Sequence, residues 1–196
     1  MKKLIVIITA AVAIGGLNQT ILAQTDAGAA GKLVDQAKAS DSKLGDIATD
    51  LTGKVQSLES TVSGNAAKSK LDGVLKSLTG GMDSEALTSA FSLAKSAKLT
   101  PEQLDLAKQV GNLTSAYVVQ KNFSSLAGQQ GDVATLVTAL RGGHLKDSLQ
   151  PIKNIAQTAK LSDTQKQLIT TIGDKYAPGL SKVSGALDSV KKLPGF

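Results

Sequence analysis

The chain has 196 residues, enough for one domain with its own core, and the absence of cysteine excludes a disulfide framework and any thiolate metal site. Hydrophobic residues make up 41% but aromatic residues only 3%, so the apolar share is mostly Ala, Leu, Val and Ile, which favours helices packed closely through small side chains. The formal charge is +6, and lysine carries nearly all of the positive charge because Arg141 is the only arginine.

Residues 1–23 have the pattern of a secretory signal peptide. Lys2 and Lys3 precede an apolar run, residues 4–14, that is shorter than the roughly 20 residues needed to span a bilayer, and Ala23 offers a cleavage site. An uncleaved membrane anchor is the alternative. Without the two lysines the mature charge is +4, so part of the basicity serves targeting. We therefore expect a bacterial protein exported to the periplasm or the cell exterior.

Residues 24–40 are small and polar at first, and we predict a flexible N-terminal segment in which only residues 32–39 form a turn or two of helix. Asp41 and its serine neighbours then supply an N-cap for a helix of about 20 residues. Apolar residues recur there at alternating steps of three and four, which predicts a single buried stripe: Leu44, Ile47, Leu51, Val55, Leu58 and Val62.

The next helix carries Leu71, Val74, Leu75 and Leu78, and Gly80-Gly81 is predicted to stop it, since glycine adopts the left-handed C-cap conformation without a Cβ clash. A shorter helix, capped by Asp83 or Ser84, follows with its apolar face at Leu87, Ala90, Phe91, Ala94 and Ala97.

The best-defined helix start in the chain is Thr100-Pro101-Glu102-Gln103. Thr100 is the predicted N-cap, Pro101 occupies the first helical position, and Gln103 stands at the capping-box position. The buried stripe of this helix is predicted at Leu106, Val110, Leu113 and Tyr117.

A second copy of this arrangement follows 62 residues later. Gly142-Gly143 matches Gly80-Gly81, and each copy then carries an Ala-Lys-Leu-Thr/Ser-x-x-Gln sequence that leads into a helix. The matched apolar positions of the second copy are Val133, Leu136, Val137, Leu140, Leu149, Ala156, Ala159, Leu161, Leu168 and Ile172. We predict a degenerate tandem repeat with units at about residues 71–132 and 133–194 and a partial unit before residue 71.

No run alternates apolar and polar residues in the manner of a strand. The sequence therefore predicts an all-α fold in which residues 41–196 form one helical repeat domain. Short turns between helices favour antiparallel neighbours and hence an antiparallel helical bundle. A short α-solenoid is the alternative, although such folds usually need three or more repeats.

Residues with catalytic or metal-binding chemistry are not assembled in any recognisable motif. His144 is the only histidine and follows a glycine pair at a turn, so we predict no zinc site and no serine triad. The acidic pairs Asp83/Glu85 and Glu102/Asp105 lie in first turns of helices, where the macrodipole favours negative charge. We predict no enzymatic activity, no catalytic, cofactor-binding or metal-binding residues, and no cofactor.

Lysines are interspersed with acidic residues and stacking aromatics are scarce, so we predict no nucleic-acid binding. The leading hypothesis is an exported, non-enzymatic helical protein that acts by protein–protein contact in a structural, adhesive or scaffolding role, with a protein partner or self-association. The alternative is a binder of lipid or another apolar ligand, or association with a membrane surface through amphipathic helices.

Overall fold

The computed structural model describes residues 27–95, 99–158 and 160–177, which form eight α-helices and contain no strand. The helices are α1 (Ala27–Ser40), α2 (Ser42–Thr61), α3 (Asn65–Thr79), α4 (Asp83–Leu93), α5 (Pro101–Phe123), α6 (Gln130–Gly142), α7 (Leu149–Ala156) and α8 (Asp163–Tyr176), and a 3₁₀ turn (Leu145–Ser148) precedes α7.

Helix α5 lies at the centre of the domain and packs against α2, α4, α6 and α8. Around it, α1 packs on α2 and α3, α3 packs on α4, and α7 packs on α6 and α8. Every residue from Leu113 to Gln120 is buried, as expected for a helix with neighbours on all sides. The prediction of an all-α helical bundle is confirmed.

The N-terminal segment differs from its prediction. Residues 27–40 form a continuous helix whose inner face buries Ala30, Leu33 and Ala37 against the core. Helices α1 and α2 approach closely where Lys38 lies against Gly45. A Cβ at position 45 would be 2.8 Å from the Lys38 Cγ atom. The small and polar residues at the start of the N-terminal segment indicate flexibility, because they carry no apolar stripe that would predict packing. Its stability comes from packing on α2 and α3.

The predicted apolar stripes of α2 and α3 are buried in full. Asp41 caps α2 through a hydrogen bond that the Lys43 backbone N–H donates to its carboxylate at 2.9 Å. Both helices thus carry their core residues at the spacing that the sequence indicates, because a helix returns to the same face every 3.6 residues.

The two glycine pairs end their helices in the same way. Gly81 and Gly143 have φ angles of +77° and +71°, a conformation that strongly favours glycine. The backbone N–H of Met82 donates to the Ser77 carbonyl at 2.8 Å, and the matching N–H of His144 donates to the Ala139 carbonyl at 2.9 Å. These bonds form a Schellman motif in each copy, so both glycine pairs are helix stops.

Several positions depart from the predicted pattern. Leu149, matched to the buried Leu87, is 45% exposed because a 3₁₀ turn replaces the start of this helix and Pro151 lies in the first turn of α7, where no N–H is needed. Leu106 is only partly buried. Asp83 does not cap α4, since Met82 occupies the N-cap position and makes no side-chain bond.

The predicted signal peptide, Ala97, Ala159 and the end of the second repeat unit lie outside the described residues. The order of helix lengths and the matched helix ends are compatible with a tandem repeat, but common descent of the two units stays a prediction.

Candidate ligand groove

An open groove of about 1100 Å³ runs over the N-terminal half of α5. Helix α2 lines one side with Thr49, Asp50, Gly53, Lys54 and Ser57, while α4 and α8 line the other with Ala90, Phe91, Ala94, Lys175 and Tyr176. The floor and the end are formed by Asp105, Ala107, Lys108, Gln109, Gly111, Asn112 and Leu113 of α5 and by Arg141, Gly142, Gly143 and Leu145.

Small residues leave this space open. A Cβ at Gly53, in the middle of α2, would meet no atom within 4 Å, so this position faces the empty part of the groove. Gly111 lies deeper, and a Cβ there would lie 3.6 Å from the Phe91 ring. Glycine inside a helix costs about 1 kcal/mol relative to alanine. At Gly53 the structure provides no packing reason for that cost.

Two aromatic side chains form the apolar wall at the α4 and α8 side. The rings of Phe91 and Tyr176 meet edge to face, with centroids 5.8 Å apart and planes at 87°. The Tyr176 hydroxyl lies 3.2 Å from the Ser115 hydroxyl, and burial raises the pKa of Tyr176 above its ordinary value, although the hydrogen bond with Ser115 opposes the shift. The Lys175 ammonium lies 5.4 Å from the Phe91 ring centroid, which suits a cation–π contact.

The rim of the groove is positive. Four cations, Lys54, Lys108, Arg141 and Lys175, line it together with two carboxylates, Asp50 and Asp105. Arg141 pairs with Asp50, and Asp105 accepts a hydrogen bond from the Gln109 amide. Within the described part of the chain, Lys54 and Lys108 form no ion pair, so their charges are available to a ligand.

The titratable residues that the sequence analysis considered for catalysis are not brought together. His144 follows the second glycine pair, Gly142-Gly143, and lines a shallower depression together with Asp147. No group of three or more His, Asp or Glu side chains in the described ranges is placed to hold a metal ion.

The acidic pairs have structural roles. Asp83 is buried and accepts hydrogen bonds from the Lys121 ammonium at 3.0 Å and the Asn122 amide at 2.9 Å, so it ties α4 to α5. A backbone N–H and the Thr100 side chain stabilise the Glu102 carboxylate and lower its pKa. Both carboxylates lie in the first turn of a helix, as the sequence predicted. The contact of Asp83 with α5 was not predicted from the sequence.

The groove has no signature in the sequence because its walls come from five helices. The one local signal was Gly53, a glycine inside a strongly amphipathic helix and beside Lys54. None of the helices in the described ranges is both long and apolar enough to cross a membrane. The chain matches no protein-family model, no curated protein and no solved structure.

Proposed function

We propose that this is an exported, non-enzymatic binding protein that holds an acidic amphipathic helix of a partner protein in the groove over α5. The observation that supports this function is the combination of an apolar wall with a rim on which Lys54 and Lys108 lack acidic partners among the described residues. An amphipathic helix that carries Leu-like and Glu residues offers both complements, and helix-in-groove recognition reads such anchors at helical spacing. Export rests on the basic and apolar pattern of residues 1–23.

The dimensions of the groove suit a short helical segment. The lining stretch of α2, residues 49–57, is about 12 Å long at 1.5 Å per residue, which corresponds to rather more than two turns of a bound helix. The volume of about 1100 Å³ lies slightly above the roughly 300–1,000 Å³ of small-molecule sites. An open groove of this size also leaves the outer face of a bound helix in solvent, where its remaining polar residues are hydrated.

The distribution of apolar surface favours this groove over the outer helix faces as the place of contact. The apolar stripes of α2 and α3 are used in the core, and among the described residues Met82 and Leu149 are the large hydrophobic side chains that stand exposed. Helices that lie on a membrane need a continuous apolar face. Anionic lipid would therefore bind in the groove, in competition with the helix, rather than on an outer helix face.

The test uses a designed helical peptide of about 15 residues, near the length at which isolated helices begin to form, with leucine on one face and glutamate on the other. A twin peptide carries glutamine in place of glutamate. We expect the acidic peptide to bind the mature protein and the glutamine twin to bind at least about tenfold more weakly, the equivalent of about 1.4 kcal/mol, by calorimetry or fluorescence anisotropy.

A groove-filling variant provides the sharpest control. Gly53→Leu places a side chain in the open groove and should abolish peptide binding without loss of stability, because leucine is a better helix former than glycine. Gly31→Leu makes the same change on an exposed face of α1, where a Cβ also meets no atom within 4 Å, and should bind the peptide as the wild type does.

The charge of the rim is tested by the double variant Lys54→Gln/Lys108→Gln, with Lys43→Gln/Lys153→Gln as a control that removes two exposed lysines outside the groove. Only the first pair should weaken binding. If both pairs weaken it equally, or if Gly53→Leu binds normally, the groove is not the site. Binding to phosphatidylglycerol vesicles without binding to the acidic peptide would assign the groove to lipid instead.

A further inference from the structure

One ion pair crosses the end of the groove. Arg141, in the last turn of α6, donates from Nη2 to the Asp50 carboxylate of α2. Both helices pack against α5, so the pair connects two walls of the site. The side chains are 37% and 47% exposed, and both line the groove. The pair is therefore reachable by a ligand in the groove.

The chemistry of this pair differs from that of the neighbouring lysines. A guanidinium presents a planar fork of donors that matches the two oxygens of a carboxylate, whereas an ammonium acts as a point charge. Exposed ion pairs contribute little to stability because water and salt compete for both partners. A carboxylate on a bound ligand can therefore replace Asp50 on Arg141 at small cost.

We propose that Arg141 is the carboxylate anchor of the groove and that Asp50 occupies it in the free protein as an internal competitor. The inference rests on the proposed function and specifies how the ligand is held. Lys54 and Lys108 attract the acidic face of the segment, and Arg141 fixes one of its carboxylates at the end of the groove. Asp50 lowers the affinity for a carboxylate ligand by the cost of displacing it from Arg141. A ligand that brings no carboxylate to that position leaves the Arg141–Asp50 pair intact and gains nothing from Arg141, so the anchor selects for acidic ligands.

The test measures binding of the same leucine/glutamate peptide to four variants. Asp50→Ala frees the guanidinium and should tighten binding about two- to fivefold, the range set by the small stability of exposed pairs. Asp46→Ala is the matched control, since it removes an exposed carboxylate one turn away on α2 that does not line the groove. Arg141→Gln should weaken binding about tenfold or more. Arg141→Lys keeps the positive charge near the C-terminus of α6 and should recover only part of the loss.

The decisive comparison is the double variant Asp50→Ala/Arg141→Gln, which should bind no better than Arg141→Gln alone, because the gain from removing Asp50 passes through Arg141. Equal affinities of Asp50→Ala and Asp46→Ala would overturn the inference. If the wild type binds and the lysine double variant loses binding while Arg141→Gln does not, the proposed function stands and the anchor is refuted. If neither the wild type nor Asp50→Ala binds the peptide, both proposals are refuted for acidic helices. In the Asp50→Ala variant the Arg141 guanidinium no longer pairs with Asp50 and would be accessible to the peptide.

Discussion

Helices α5 and α8 begin in the same way and have different surroundings. Thr100 and Ser162 are their N-caps, and Gln103 and Gln165 complete a capping box in each. The two glutamine amides also donate, at 2.6 Å each, to carbonyls at the ends of α2 and α5, on Thr61 and Asn122 respectively. One local arrangement thus starts a helix and joins it to the end of the preceding long helix.

The surroundings then separate the two helices. From Leu113 to Gln120 α5 is buried on every side, although this stretch includes Thr114 and Ser115. Their hydroxyls donate to the carbonyls of Val110 and Gly111, one turn earlier, at 2.8 Å each. Buried hydroxyls therefore cost little, because the helix itself satisfies them. Helix α8 instead buries one face, formed by Leu168, Ile169, Ile172 and Gly173. The two helices have equivalent N-terminal caps, so their position in the bundle determines how much of each helix is buried.

The largest effect is expected from an acidic substitution at a matched pair of leucines. Leu168 is 1% exposed, so Leu168→Asp should lower the free energy of unfolding by about 4 kcal/mol or more, because a carboxylate would be buried without a partner. Leu106, which has the same position in the register of α5, is only partly buried, and Leu106→Asp should cost about 1–2 kcal/mol. Urea denaturation followed by circular dichroism measures both, and equal losses would contradict the assigned difference in burial.

A smaller effect is expected at alkaline pH from the two buried tyrosines, one on each helix. Burial, with a further contribution from the Asp83 charge, raises the pKa of Tyr117 from 10.0 to about 12, and burial also raises the pKa of Tyr176. Since the unfolded chain loses these protons at lower pH, the stability they contribute is complete below about pH 10 and falls as the pH rises towards about 12.

The measurement is the urea midpoint of the wild type and of Tyr117→Phe across that pH range, with tyrosinate absorbance as the readout of ionisation. The phenylalanine variant should lose less stability between about pH 10 and 12, because it lacks the ionisation of Tyr117. Deprotonation of lysines lowers the stability of both proteins alike and cancels in the comparison. A wild-type titration with all tyrosines near pH 10 in the folded state would refute the burial of both hydroxyls.

The smallest effect is expected at the two caps. Thr100→Ala and Ser162→Ala each remove a side-chain acceptor from an N3 backbone N–H, and each should cost about 1 kcal/mol. Similar losses in urea denaturation would support the equivalence of the two helix starts. A loss confined to Thr100→Ala would indicate that the stability of the cap depends on the burial of the helix behind it.

Helix ends were predictable because short-range hydrogen bonds determine them. Thr100 with Gln103, Ser162 with Gln165, and the glycine pairs at residues 80–81 and 142–143 act within a few residues, and each has the predicted role. The stripe of α2 was equally readable, because one face of that helix is apolar and its periodicity is regular.

Where burial or a side-chain contact depends on helices distant in the chain, the sequence pattern did not predict it. The predicted stripe of α5 covered one face along the whole helix, whereas the structure buries every side of residues 113–120, since α2, α4, α6 and α8 pack around the helix. Asp83 is a predicted N-cap of α4, but its side chain contacts Lys121 and Asn122, which are 38 and 39 residues away in the chain. Long-range partners leave no periodic signal in a single sequence.

The sequence by itself determined that the described chain is helical, where its glycine joints and capped helices lie, and that no familiar catalytic motif is present. Only the tertiary structure decided that α1 belongs to the core, that α5 is central, and that a groove with an apolar wall and a basic rim lies above it. The physical reason is the range of the interactions. Caps and turns form between neighbours in the chain, whereas the groove exists only after five separate helices have packed around the same space.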